Sequence, residues 1–252
     1  KTIIVLLLCF LPVAPSFAQK VGEALSAWKE GYMDIHHINT GCGECAYIIF
    51  PDGTTMLVDA GENKADNPRH VLPKPNAGRT PGEWIVDYIQ AMAPDQNQKL
   101  DYALITHFHS DHMGGVFKTK NESGRYYNTG IITVAENIRI NKLVDRGFPD
   151  YKFLVNTEDK MIKNYFNFLH FTKRRIHVEQ FRPGVENQFK LLHDSIRYAG
   201  SFSVQNLYAN GWLWTGKEQE TKYLFPDFST LEKYDIPQEN TLSCALKITY
   251  GK

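Results

Sequence analysis

The chain has 252 residues, with 28 Lys and Arg against 28 Asp and Glu and a formal net charge of zero. Its 42% hydrophobic and 13% aromatic content provides for a sizeable core, in one large domain or two small ones. The even charge balance gives no electrostatic footprint for nucleic acid or an anionic membrane.

Residues 1–18 read as a secretory signal peptide. Lys1 is the charged start, residues 3–11 are the apolar run, and Ser16, Phe17 and Ala18 form a small-x-small cleavage site. The run is too short for a good membrane span, so the mature chain, 19–252, is expected to be secreted or periplasmic. A retained N-terminal anchor is the alternative. Cys9 lies inside the apolar run, a poor place for lipid attachment. The remaining Cys42, Cys45 and Cys244 do not make a disulfide framework. Cys42 and Cys45 form a lone C-x-x-C between two strand-like runs, which favours a tight turn and leaves a Cys42–Cys45 disulfide open.

Residues 33–39 and 46–50 read as strands around that turn, with His36 and His37 as ordinary strand residues. Pro51, Asp52 and Gly53 signal a turn. Residues 54–58 read as the next strand, ending in Asp59, Ala60, Gly61 and Glu62. Residues 63–79 are a loop rich in Pro, Asn and Lys. A helix then begins with Thr80 as cap, Pro81 in the first turn and Glu83 closing a capping box. Trp84, Ile85, Tyr88, Ile89 and Met92 lie on one face of it. Pro94 closes it, and residues 101–105 form a further apolar strand. Strand, helix and strand make a crossover that feeds the next segment.

That segment carries the chemistry. His107, His109, Asp111 and His112 follow the strand in the pattern H-x-H-x-D-H, and Gly114 and Gly115 follow them. Neutral imidazole and carboxylate are zinc ligands. His107 and His109 are two apart, so in extended backbone they point the same way. Asp111 and His112 come where the chain must turn, and can face a second metal.

This stretch resembles the signature of the metallo-β-lactamase superfamily of binuclear metal hydrolases. The resemblance implies an α/β fold, an αββα sandwich of which this chain holds the first half and the start of the second. It implies that His107 and His109 hold one zinc, that Asp111 and His112 hold the other, and that manganese is a possible substitute. It implies hydrolysis by a hydroxide shared between the metals, with Asp111 accepting its proton, and a supporting role for Asp59, which orients the metal loop.

Residues 116–239 read as a long insert. Within it, residues 131–134 and 153–155 are expected as short strands and 157–172 as a helix. Residues 202–208 and 212–214 are expected as a hairpin about Asn210 and Gly211. Trp212 and Trp214 share one face, as core or as an aromatic wall beside substrate. His170, His177 and His193 match no ligand motif. Residues 240–251 then resemble a segment of secreted superfamily members, the phosphorylcholine esterases and the hydrolase-like domain of DNA-uptake channels. In those relatives a second strand ending in Gly-Asp and later histidines follow, so the chain is read as C-terminally incomplete, with each metal short of a third ligand. The subgroup resemblance implies a phosphodiester or related ester substrate. A β-lactamase-type amide hydrolase and a catalytically inactive metal-binding module are the alternatives.

Overall fold

The structure, a computed structural model, describes residues 22–62, 71, 72, 74, 76–94 and 99–251. The leader 1–18 and residues 63–70, 73 and 75 of the loop 63–79 lie outside the described residues. The strands are β1 (Asp34–His37), β2 (Ala46–Ile49), β3 (Thr55–Val58), β4 (Leu100–Leu104), β5 (Thr119–Lys120), β6 (Tyr127–Asn128), β7 (Ile140–Asp145), β8 (His177–Gln180), β9 (Phe202–Ala209), β10 (Trp212–Trp214), β11 (Thr221–Tyr223) and β12 (Ala245–Tyr250). The α-helices are α1 (Pro81–Met92), α2 (Ser110–Met113), α3 (Gly130–Asn137) and α4 (Lys160–Thr172).

Six strands form a mixed sheet in the order β1-β2-β3-β4-β7-β8. β1, β2 and β3 pair antiparallel, whereas β3, β4, β7 and β8 run parallel. The parallel half needs crossovers, and α1, α3 and α4 occur in them. The capping box at α1 is present, with the Glu83 N–H donating to Thr80 Oγ1 and the Thr80 N–H to Glu83 Oε2. A second sheet has the order β11-β10-β9-β12.

The sheets and helices are layered. One face of the six-stranded sheet packs through Tyr47, Leu57, Ala103 and Leu143 against Ile85, Ile131 and Phe168 of the helices. The opposite face, through Met56, Tyr102, Leu104 and Val144, packs on Val204, Ala209 and Leu246 of the second sheet. No α-helical residue takes part in that second core among the described residues. Three layers of the expected αββα order are therefore described, and β12 lies at the edge of its sheet.

Several expectations are corrected. Residues 131–134 form helix α3, not a strand. Gly130 to Ala135 are all buried, so the run has no exposed face to reveal a helical period. Residues 153–155 form no strand: Leu154 has φ 49°, and the carbonyls of Phe153 and Leu154 accept hydrogen bonds from Arg146. The helix expected from 157 starts at Lys160, because the Asp159 carboxylate caps it by accepting from the Met161 and Ile162 N–H groups. Residues 116–239 are woven into both sheets, supplying β7 and β8 to the first and β9, β10 and β11 to the second. The hairpin at Asn210 and Gly211 is present, with both residues at positive φ as a type I′ turn requires.

Candidate metal centre

Parallel strands deliver functional loops at their carboxyl ends. β4 ends at Leu104, and the chain continues through Thr106 and His107 into the one-turn helix α2, with His109 as its N-cap. This brings the His107 ring within 5.0 Å of the His109 ring and 3.9 Å of the His112 ring, centroid to centroid. His112 Nε2 lies 4.0 Å from Asp111 Oδ2. The four residues of the H-x-H-x-D-H pattern thus share one loop. His170, exposed against Phe171, His177, beside Glu179, and His193, 3.6 Å from Asp101, make their recorded contacts elsewhere.

The path of the loop is set by backbone hydrogen bonds. The N–H groups of Ala60 and Glu62 donate to the carbonyls of His112 and Ser110, and the Glu44 N–H donates to Asp111 O. Gly61 N–H closes the set on Glu44 O. The C-x-x-C turn therefore packs directly on the metal loop. A Cβ on Gly43 would sit 2.7 Å from Asp111 O, and one on Gly61 only 2.0 Å from it. Cys42 and Cys45 are not joined by a disulfide.

Asp59 holds the loop by its side chain. It is buried at 1% exposure and has φ 60°, an unusual conformation for a residue with a Cβ. Oδ1 accepts the Thr106 N–H at 2.7 Å, and Oδ2 accepts the Thr106 hydroxyl at 2.7 Å and His112 Nδ1–H at 2.8 Å. Burial raises the Asp59 pKa against these hydrogen bonds. Burial also acts to lower the His112 pKa, but the bond and charge of Asp59 outweigh it and leave the imidazole above its ordinary value. His107 Nδ1 lies 3.1 Å from Thr106 Oγ1. With the Thr106 hydroxyl donating to Asp59, its oxygen accepts from His107 Nδ1–H, so the network assigns both rings the tautomer that leaves Nε2 free. Burial, with His112 and His109 alongside, lowers the His107 pKa to about 4. That imidazole is neutral at pH 7, the form a metal takes.

His107 Nε2 is buried with no hydrogen-bond partner. A buried polar atom without a partner calls for an unrecorded ligand or water. A divalent metal fits this atom and the imidazole and carboxylate donors around it. Among the described residues, no three His, Cys, Asp or Glu side chains converge as a complete metal cage.

Two carboxylates that sequence reasoning left without a role support the same region. Glu62 has 0% exposure and accepts N–H groups from Val116 at 3.1 Å, Gly130 at 3.2 Å and Gly82 at 3.5 Å, tying the starts of α1 and α3 to the segment after Gly115. Glu239 accepts the Phe108 N–H at 2.7 Å. Only burial next to Asp59 and the Gly-Gly pair could have hinted at Glu62, and nothing local marks Glu239.

Residues 39–124 match the family model of the metallo-beta-lactamase superfamily. No curated protein matches the chain. The mixed sheet, its helix layer and this match make the fold metallo-β-lactamase-like. Members of the superfamily are generally metal-dependent hydrolases, typically with zinc. The match covers the C-x-x-C turn, Asp59 and the metal loop, but not α3, β7 or the second sheet.

A cleft of about 470 Å³ opens beyond the ends of β7 and β8, lined by Phe153, Arg182, Asn210 and Trp212 among others. Trp212 is half-exposed on it, whereas the Trp214 indole N–H donates to Glu218 O.

Proposed function

We infer that the protein is a secreted or periplasmic metal-dependent hydrolase of phosphodiester or related ester bonds in small molecules. The observation that carries the hydrolase reading is the buried, unpartnered Nε2 of His107 on a loop that also carries His109, Asp111 and His112. His107 and His109 would hold one zinc, and Asp111 and His112 a second; manganese is the alternative ion. When bound, such a metal lowers the pKa of a water to about 7 and takes up charge that develops on the substrate oxygen.

The chain's own residues do the rest. Asp59 and Thr106 engage Nδ1 of His112 and His107, which leaves Nε2 of each ring as the nitrogen a metal would take. Asp111 keeps a partly exposed carboxylate beside His112, able to accept a proton from attacking water at its Oδ atoms. The phosphodiester preference rests on the resemblance of residues 240–251, which adjoin the loop: Cys244 N–H donates to Thr106 O. Export rests on the leader at 1–18 and predicts a mature N-terminus at Gln19, read by mass spectrometry of protein recovered from its host.

The test supplies zinc or manganese to the full-length protein and compares substrates. Bis(p-nitrophenyl) phosphate or p-nitrophenyl-phosphorylcholine should turn over faster than nitrocefin. His109→Ala should bring the rate down to that of metal-free protein without unfolding the chain. Turnover of nitrocefin alone would reverse the substrate assignment to a β-lactamase-type hydrolase. Zinc uptake without turnover of any of the three would favour the inactive metal-binding module.

A further inference from the structure

The Phe108 peptide lies between the first two histidines of the loop, and its N–H is taken up by a residue 131 positions away. Glu239 Oε1 accepts it at 2.7 Å. Glu239 is in turn held by Arg146, whose guanidinium has 0% exposure. Arg146 Nε donates to Oε1 at 2.7 Å, and a terminal nitrogen donates to Oε2. The other guanidinium donors go to the carbonyls of Phe153 and Leu154 and to Asn210 Oδ1. The guanidinium also stacks 4.7 Å from the Phe108 ring centre.

A buried arginine is costly unless every donor is matched. Here the matching is complete enough to fix the Glu239 carboxylate in one place. Asp59 fixes the Thr106 N–H from the β3 side. The amides on both sides of His107, at 106 and 108, are thus pinned by two carboxylates from opposite parts of the chain. The peptide plane that carries the Phe108 N–H runs from the His107 Cα to the Phe108 Cα, so pinning it limits the direction in which the His107 Cα–Cβ bond leaves the backbone and fixes the point from which the chain goes on to His109.

We propose that Glu239, locked by Arg146, is a positioning residue that presets the His107 and His109 imidazoles for a shared metal ion. The inference rests on the metal-binding reading of the loop and extends it to a residue outside the family match. Glu239 touches neither metal nor substrate and acts through the Phe108 amide. Its removal loosens a donor pair that is otherwise preorganised, and partners of this kind set metal affinity by about 10- to 100-fold.

The experiment compares wild type, Glu239→Ala and Glu239→Gln in the full chain. Glutamine keeps an oxygen for the Phe108 N–H and loses the charge; alanine loses both. Zinc affinity is measured by competition with a chromophoric chelator, cobalt(II) is followed by its visible absorption, and Phe108 amide exchange is followed by NMR in metal-free protein. Zinc affinity should fall about tenfold or more in Glu239→Ala with an altered cobalt spectrum, and Glu239→Gln should recover most of both. Phe108 exchange should accelerate in the alanine variant only. If Glu239→Ala is too unstable to purify, Glu239→Gln alone decides through its cobalt spectrum, which must match wild type. Zinc affinity and cobalt spectrum unchanged in Glu239→Ala, with Phe108 exchange accelerated, would overturn the proposal alone. A wild-type chain that takes up no zinc would instead overturn the metal reading on which it rests.

Discussion

Gly61 lies between the Asp111 carbonyl and the Glu44 amide, and a Cβ there would stand 2.0 Å from the first and 2.8 Å from the second. Neither neighbour is a side chain that could swing away. Gly61→Ala should therefore cost about 3 kcal/mol, the upper end of overpacking penalties, because backbone has to move. Equilibrium urea unfolding measures this, and a change below about 0.5 kcal/mol would show that the contact is not tight. The candidate ligand residues themselves were legible, because H-x-H-x-D-H after an apolar strand is a local pattern. Asp59 was legible only through resemblance. Glu62 and Glu239 were not, since their meaning lies in amides 20 to 131 residues away. A buried carboxylate looks the same in sequence as an exposed one.

At the scale of elements, α1 shows how local chemistry fixes a boundary. Thr80 and Glu83 satisfy each other's backbone N–H groups, and Pro81 occupies a position where no N–H is needed. Thr80→Ala should lower stability by about 1 kcal/mol and fray the first turn. Denaturant unfolding reads the first effect, and loss of amide protection at Glu83 reads the second. Equal stability of the two proteins would mean that Gly82 and Glu62 hold the turn without the cap. Elements with such signals, α1 and the β9–β10 turn, were readable at their ends. α3 and β7 were not. α3 is buried continuously from Gly130 to Ala135, and β7 interrupts its apolar residues with Asn141 and Lys142, whose partners Asp101 and Glu179 only the fold supplies.

On the scale of the whole molecule, the last two parallel strands are joined by charge as well as by backbone. Glu179 on β8 takes Lys142 Nζ at 2.8 Å from β7, together with the Gln188 amide and His177 Nε2 at 3.0 Å each. Burial alone would raise its pKa, but these partners outweigh it and lower the carboxyl from 4.5 to about 2. The folded pKa lies below the unfolded one. The stabilisation is thus present in full above about pH 4.5 and is lost as pH falls toward 2. Glu179→Gln should be less stable than wild type at pH 6, and the gap should close between pH 4.5 and 2. Urea midpoints at pH 6, 4, 3 and 2 test this; a gap that persists unchanged at pH 2 would assign the loss to packing instead. The layered architecture was foreseen from the matched stretch, whereas the placement of residues 116–239 within both sheets was not. Strand order across a parallel sheet depends on long-range pairing, which short-range periodicity does not encode.

The metal loop is tied down chiefly through groups that every residue possesses. Ala60, Glu62 and Glu44 grip the carbonyls of His112, Ser110 and Asp111, so the course of the chain owes little to which side chains occupy 109 and 111, while His112 is tied to Asp59 by its imidazole as well. Scaffold and reagent are thereby separable. A thiolate or carboxylate could be written onto positions 109 and 111 and be displayed at the same spacing, so that a change of metal preference, and of chemistry with it, would need no change of architecture.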